Sequence, residues 1–195
     1  SASDMAHFMI AHLQNGKYKN NSILNEATIK QFHTQSFTHH PELVGWAHGF
    51  EEKSINGLRV LSHNGSWQDF CSLLLLVPDE DLGIFVSLNI SNYGVIENII
   101  GRFFDHYYTC QSVKAIEEPD ALQVPLKPFV GTYNKLRSSY TSIEKLQRII
   151  YFESITETDG GTLYFLGKEW YPVTPLLFYS NNSDHKLVFF ENEKG

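Results

Sequence analysis

Cysteine is scarce in this 195-residue chain: Cys71 sits inside an apolar run and Cys110 just after a helical pattern. Two cysteines give neither the ligand spacing of a zinc site nor the density of a disulfide scaffold, which excludes both of those protein types. Clustered basic residues are missing as well. The net charge is -7 and no Lys/Arg block occurs. Phosphate binding requires grouped cations, so neither nucleic acid nor an anionic membrane surface is an expected partner. Long hydrophobic runs are also absent: the longest falls far short of the roughly 20 residues a membrane helix needs, and no charged-then-apolar leader opens the sequence. As it stands the sequence reads as soluble, without an export address.

What is present is the composition of a folded protein. With 42% hydrophobic and 19% charged residues, the chain can bury one sizeable core or two smaller ones. Met5, Phe8, Met9, His12 and Leu13 recur at helical spacing, with Ser3 expected as the cap, Asp4 suited to the positive end and Gly16 as the stop. A polar loop over 17–22 follows. Asn25 then caps a second predicted helix, with Leu24 and Ile29 as a hydrophobic staple and Phe32 one turn on.

From Val44 the period changes to that of strands. Predicted strands over 46–52 and 58–63 flank Asn56-Gly57, a strong hairpin signal because both turn residues must tolerate positive φ. A strand over 70–77, a turn at Pro78-Asp79-Glu80-Asp81 and a strand over 84–89 come next. The run Leu73-Leu74-Leu75-Leu76-Val77 lacks alternation, so both faces of that strand are expected to be covered. A helix over 92–108 carries Val95, Ile96, Ile99, Ile100, Phe103, Phe104 and Tyr107 as a wide apolar stripe for the sheet.

Pro119, Pro125 and Pro128, with Glu117, Glu118 and Asp120 between, mark a boundary. The predicted organisation is a first domain over 1–110, a linker over 111–128 and a small β domain over 129–195. In the last, short aromatic-rich strands over 129–134, 163–166, 170–173, 176–179 and 187–190 are divided by turn residues. One helix interrupts them, where Thr141 and Glu144 form a capping box ahead of Ile143, Leu146, Ile149 and Ile150. The predicted fold class is α+β: an antiparallel sheet flanked by helices, plus a small antiparallel barrel-like β domain that reads as incomplete, since the sequence stops just after a strand.

Several segments together resemble a known family. Ser1-Ala2-Ser3-Asp4-Met5-Ala6, the Ile23-Leu24 helix start, His63-Asn64-Gly65, the leucine-rich strand and Leu82-Gly83-Ile84-Phe85-Val86 resemble the C-terminal part of the class C β-lactamase and penicillin-binding-protein-related serine hydrolases. Phe129-Val130-Gly131-Thr132-Tyr133, Arg137-Ser138-Ser139-Tyr140-Thr141 and Pro175-Leu176-Leu177-Phe178 resemble the small lipocalin-like domain that some of these hydrolases carry. In that family a Ser-x-x-Lys serine attacks a carbonyl, a Tyr-x-Asn tyrosine helps move the proton, and a Lys/His-x-Gly strand lines the pocket. Only the third element maps here. The resemblance therefore implies one pocket wall, His63, Asn64, Gly65 and Ser66, in a chain that lacks the nucleophile. His63 would face the substrate, Gly65 would let it approach the strand, and the Ser66 N–H would be one oxyanion donor. The plain alternative is that His63 and Gly65 are a strand end and a turn.

Literal matches elsewhere carry less. Ser142-Ile143-Glu144-Lys145 matches Ser-x-x-Lys, but it lies in the first turn of a predicted helix and after His63, whereas the family places its serine first. Tyr18-Lys19-Asn20 and Tyr179-Ser180-Asn181 match Tyr-x-Asn in a polar loop and at a turn. His33, His39 and His40 are the closest histidines, yet adjacent strand residues point to opposite faces and no Cys or carboxylate completes a ligand spacing, so no metal and no cofactor is expected. Cys71 reads as a buried inert thiol. Tyr164, Phe165, Trp170, Tyr171, Phe178, Phe189 and Phe190 are expected to fill the β domain's own core before they line a ligand cavity.

Two function classes follow. The first is a C-terminal piece of a serine hydrolase acting by acyl transfer on a β-lactam, a D-alanyl peptide or a small ester, inactive as this chain alone. The second is a noncatalytic module that binds a ligand or partner on a hydrolase-derived scaffold. An uncovered sheet edge predicts a homodimer. The resemblance implies work outside the cytoplasm, periplasmic or at the cell surface, with any membrane attachment lying beyond these residues.

Overall fold

The computed structural model describes residues 1–109, 122, 124–134, 141–143, 152–180 and 185–191. Two compact units divide the chain, Ser1–Val113 and Lys114–Gly195. Both are built on antiparallel sheets, and three α-helices occur among the described residues.

The first unit opens with α1 (Ala2–Leu13). Its cap is Ser1, in a capping box with Asp4, so Ser3 lies inside the first turn rather than at the cap. Gly16 follows at φ +87°, and its N–H donates to Ala11 O at 2.7 Å. A side chain there would put Cβ 2.1 Å from the Leu24 carbonyl oxygen, so glycine is required twice over, by conformation and by space. The predicted loop over 17–22 is in fact a minute hairpin, β1 (Lys17–Tyr18) with β2 (Asn21–Ser22). Next, α2 (Glu26–His33) starts where Asn25 accepts the Thr28 N–H at 2.8 Å, and the staple residue Ile29 is buried.

A four-stranded sheet follows, ordered β3 (Glu51–Ile55), β4 (Leu58–Trp67), β5 (Phe70–Val77), β6 (Leu82–Leu88). The strand expected over 46–52 begins only at Glu51. Upstream, Ala47 N–H closes a turn onto Phe50 O, and Trp46 makes isolated bridges to Phe37 and Glu51. Asn56 and Gly57 both have positive φ, as a two-residue hairpin demands. The non-alternating run in β5 is explained by its two covers. Leu73, Leu75 and Val77 pack with α3 (Tyr93–Tyr107) through Ile96, Ile100 and Phe104, whereas Leu74 and Leu76 pack with Met9, Ala47, Phe50 and Leu61 under α1. The buried stripe of α3 is narrower than its sequence suggested. Val95, Ile99 and Tyr107 are exposed, because a single sheet contact covers one residue row per turn.

The second unit is a curled six-stranded meander. Its strands β7 (Gly131–Asn134), β8 (Phe152–Glu157), β9 (Leu163–Phe165), β10 (Lys168–Pro172), β11 (Leu177–Ser180) and β12 (Lys186–Val188) lie in sequence order. Leu126, Ile155, Leu163, Trp170 and Phe178 form its core, with Phe129, Phe165, Leu187 and Phe189 against them. Tyr164 and Phe190 are exposed and belong to neither. Strand β8 lies where the sequence pattern predicts no strand. Most of the proposed linker, Cys110, most of the predicted helix after Thr141 with its Ser-x-x-Lys match, and Asn181 lie outside the described residues.

Candidate functional site

The face of the sheet under α1 opens into a cavity of about 460 Å³. Its walls come from Met5, Phe8 and His12 on α1, Ile23 and Leu24 before α2, and Phe32 on α2, together with His48, Gly49 and Phe50 ahead of β3. Its floor is the sheet itself: His63, Asn64 and Gly65 of β4, Ser72 and Leu74 of β5, and Phe85 of β6. Three of the four residues singled out from the sequence thus reach one cavity, and Ser66 is not part of its lining.

Strand register explains the placement. Across β4 and β5, His63 lies opposite Leu74, Gly65 opposite Ser72 and Trp67 opposite Phe70. Side chains alternate between faces, so Leu61, His63, Gly65 and Trp67 share the cavity face while Val60, Ser62, Asn64 and Ser66 share the α3 face. Asn64 therefore meets the cavity with its backbone. Its side chain acts on the Tyr93 phenol, which burial pushes above the ordinary tyrosine value against that influence. At Gly65 the missing side chain matters, since a Cβ would stand 3.0 Å from Ser72 Oγ and fill the floor between His63 and Trp67.

Beside this floor the sheet has an open edge. Strand β3 accompanies β4 only from Leu58 to Ser62, whereas β5 accompanies it as far as Trp67. Two-residue hairpins close on mutually hydrogen-bonded pairs, and alternate residues of a strand bond to opposite neighbours. Ile55–Leu58 and Trp67–Phe70 are the closing pairs here. Residues 58, 60 and 62 therefore bond toward β3, and 61, 63, 65 and 67 toward β5. Asn64 and Ser66 are left with N–H and C=O directed outward, past the end of β3. An outward N–H beside an apolar cavity is a donor positioned for a ligand oxygen.

In the sequence His12 is one position of the helical stripe of α1. It is 4% exposed, lines the back of the cavity, and its Nδ1 lies 3.1 Å from His33 Nε2. The rings of Phe8, Phe32 and Phe50 surround it. Burial lowers the pKa of His12, and burial, the neighbouring His12 and the Arg59 charge together lower that of His33 to about 4. Both rings are neutral at pH 7, one donating and one accepting. The signal available in the sequence was a polar residue at an apolar position of α1. His39 packs edge-on to Phe37, and among the described residues no group of three or more His, Cys, Asp or Glu is arranged to hold a metal ion.

Behind the pair, Glu52 is a buried carboxylate. Burial alone would raise its pKa, but hydrogen bonds from Gln35, Arg59 and the Gly45 N–H, with the Arg59 charge, outweigh it and hold the group below the ordinary range. Arg59 also donates to His33 O. This network pins the end of α2 and the 35–45 segment to the sheet, and so fixes one side of the cavity. Tyr18 sits in β1 against the His7 ring, Tyr179 in β11, and Cys71 donates to Ile90 O at 3.1 Å from a buried position.

No protein-family model matches the chain, and no curated protein matches it by sequence. Solved structures do. The chain is similar to the crystal structure of SurE with D-Leu, at 16% identity and a TM-score of 0.55, covering 100% of this chain and 46% of that one. It is also similar to a crystal structure of SurE (15% identity, TM-score 0.46, 86% and 38% covered) and to the octameric penicillin-binding protein homologue from Pyrococcus abyssi (15% identity, TM-score 0.41, 95% and 41% covered). The likeness at 0.55 shows a shared fold and nothing finer. The chain spans less than half the length of each of these proteins.

Proposed function

We propose that the first unit is one wall of the acyl-binding pocket of a β-lactamase- or penicillin-binding-protein-related serine hydrolase, the serine being supplied by sequence outside these residues. One observation carries this reading. A short stretch of β4 brings an exposed histidine and a side-chain-free floor at Gly65 into a single cavity, and the next residue along the strand, Ser66, outside that lining, directs its backbone N–H toward the open sheet edge. In an acyl transfer that N–H would stabilise the developing oxyanion, His63 would offer a hydrogen bond or charge to the substrate, and Gly65 would admit the carbonyl to contact with the strand. Ser72 is the one hydroxyl-bearing residue of the lining, and its place on β5 opposite Gly65 makes it floor, not nucleophile. Compounds with a D-aminoacyl group are the substrates to try first, since SurE, a protein of similar fold, was solved with D-Leu.

The test compares this chain with a longer polypeptide carrying the upstream coding sequence, using a fluorescent penicillin and a fluorophosphonate. The chain alone is expected to take no covalent label, and the longer one to label at a serine upstream of Ser1. Labelling of this chain at any of its own serines overturns the reading, as does a longer polypeptide that never labels; the latter result favours a noncatalytic binding module.

A further inference from the structure

The cavity does not end the usable face of the sheet. Beyond Gly65 and Ser72 the next cross-strand pair on that face is Trp67 with Phe70, at the tip of the β4–β5 hairpin. Trp67 is 77% exposed and Phe70 52% exposed, although both are large and apolar. Leu61, Leu74 and Leu76 on the same face are covered by α1 and its neighbours, so the aromatic pair is the uncovered continuation of a surface that is otherwise buried. We propose that Trp67 and Phe70 form a second apolar subsite, collinear with the cavity, for the aromatic or branched aliphatic side chain of an acyl compound whose carbonyl lies beside Ser66.

The inference rests on the acyl-binding reading above and adds a substrate class to it. A carbonyl held at the open edge by the outward Ser66 N–H has two substituents that must leave in opposite directions along β4. One direction enters the cavity between Phe8, Phe32 and Phe85. The other runs from Ser66 toward the hairpin tip and meets the Trp67 indole. Small polar esters would leave both ends empty, whereas a compound with an apolar group on each side of the carbonyl would cover both. A lipid surface is the poorer occupant, because Asp69 stands in the hairpin turn itself and the chain carries a charge of -7.

The closing experiment uses this chain, isotopically labelled, in an NMR titration with N-acetyl-D-phenylalaninamide and with N-acetyl-D-alaninamide. The phenylalanine probe is expected to shift the backbone amides of residues 63–70 and to bind about tenfold more weakly to Trp67→Ala, as removal of one aromatic stacking partner predicts, while the alanine probe binds both proteins alike. Phe70→Ala is a second, independent variant, and an unchanged thermal midpoint certifies that each is folded. Equal affinity of the native and substituted proteins overturns the subsite, and so does failure of the phenylalanine probe to bind the native chain. Concentration-dependent shifts at 63–70 without any probe, lost in Trp67→Ala, would assign the tip to a second copy of this chain and also overturn it. Failure of the underlying reading looks different: the probe binds through Trp67, but the longer polypeptide takes no covalent label.

Discussion

His12 Nδ1 and His33 Nε2 face each other at 3.1 Å across the junction of α1 and α2. The contact joins helices whose partners are 21 residues apart and closes the back of the cavity. It holds only while at least one of the two facing nitrogens keeps its lone pair.

Stability should therefore depend on pH in a defined window. The folded-state pKa of His33 is lowered from 6.5 to about 4, so the unfolded chain binds the proton first as pH falls. The contribution is fully present above pH 6.5, is lost progressively toward pH 4, and changes no further below. Urea midpoints measured across that range should fall with falling pH, and His33→Gln, which keeps a hydrogen-bonding group without the titration, should flatten the fall. An unchanged pH dependence in His33→Gln would assign the effect to other groups.

Glu52 is 3% exposed at its side chain, and its oxygens accept from Gln35, Arg59 and the Gly45 N–H. Replacing it with Gln leaves Arg59 without its anion and the Gly45 N–H with a weaker acceptor. The expected loss is about 2–3 kcal/mol in urea denaturation at neutral pH, less than for a fully buried pair because Arg59 is partly solvated. A loss below about 0.5 kcal/mol would place Glu52 among ordinary surface ion pairs.

Gly65→Ala separates architecture from chemistry. The added Cβ meets only the Ser72 hydroxyl, at 3.0 Å, and a small side chain can turn aside, so the stability change should stay within about 1 kcal/mol. Covalent labelling of the longer polypeptide by penicillin should nonetheless drop by an order of magnitude or more, because the carbonyl loses its approach to the strand. Labelling at the native rate would remove Gly65 from the site.

Gly16→Ala is the contrasting case, with no role in binding. Positive φ and a clash with the Leu24 backbone oxygen coincide there, and backbone cannot turn aside. A loss of about 3 kcal/mol or more is expected by thermal or urea unfolding. Tolerance within 1 kcal/mol would mean that the turn between α1 and β1 rearranges freely.

Residue patterns alone determined much of the first unit. Asn56-Gly57 specifies its hairpin because few residue pairs accept two positive φ angles, and the run from Leu73 to Val77 demands two covers because neither face of it is polar. Asn25 and its staple mark the start of α2 for equally local reasons. Strand β8 leaves little trace in the sequence because only Ile155 among its six residues is buried, so almost no alternation marks it. Tertiary structure alone decided that His12 meets His33, that the pairing of β3 with β4 ends at Glu51 and Ser62 and so leaves Asn64 and Ser66 facing an open edge, and that Trp67 and Phe70 stay uncovered beside the cavity. Each of these depends on which distant segments pack together and on where a neighbouring strand stops, and no local propensity encodes either.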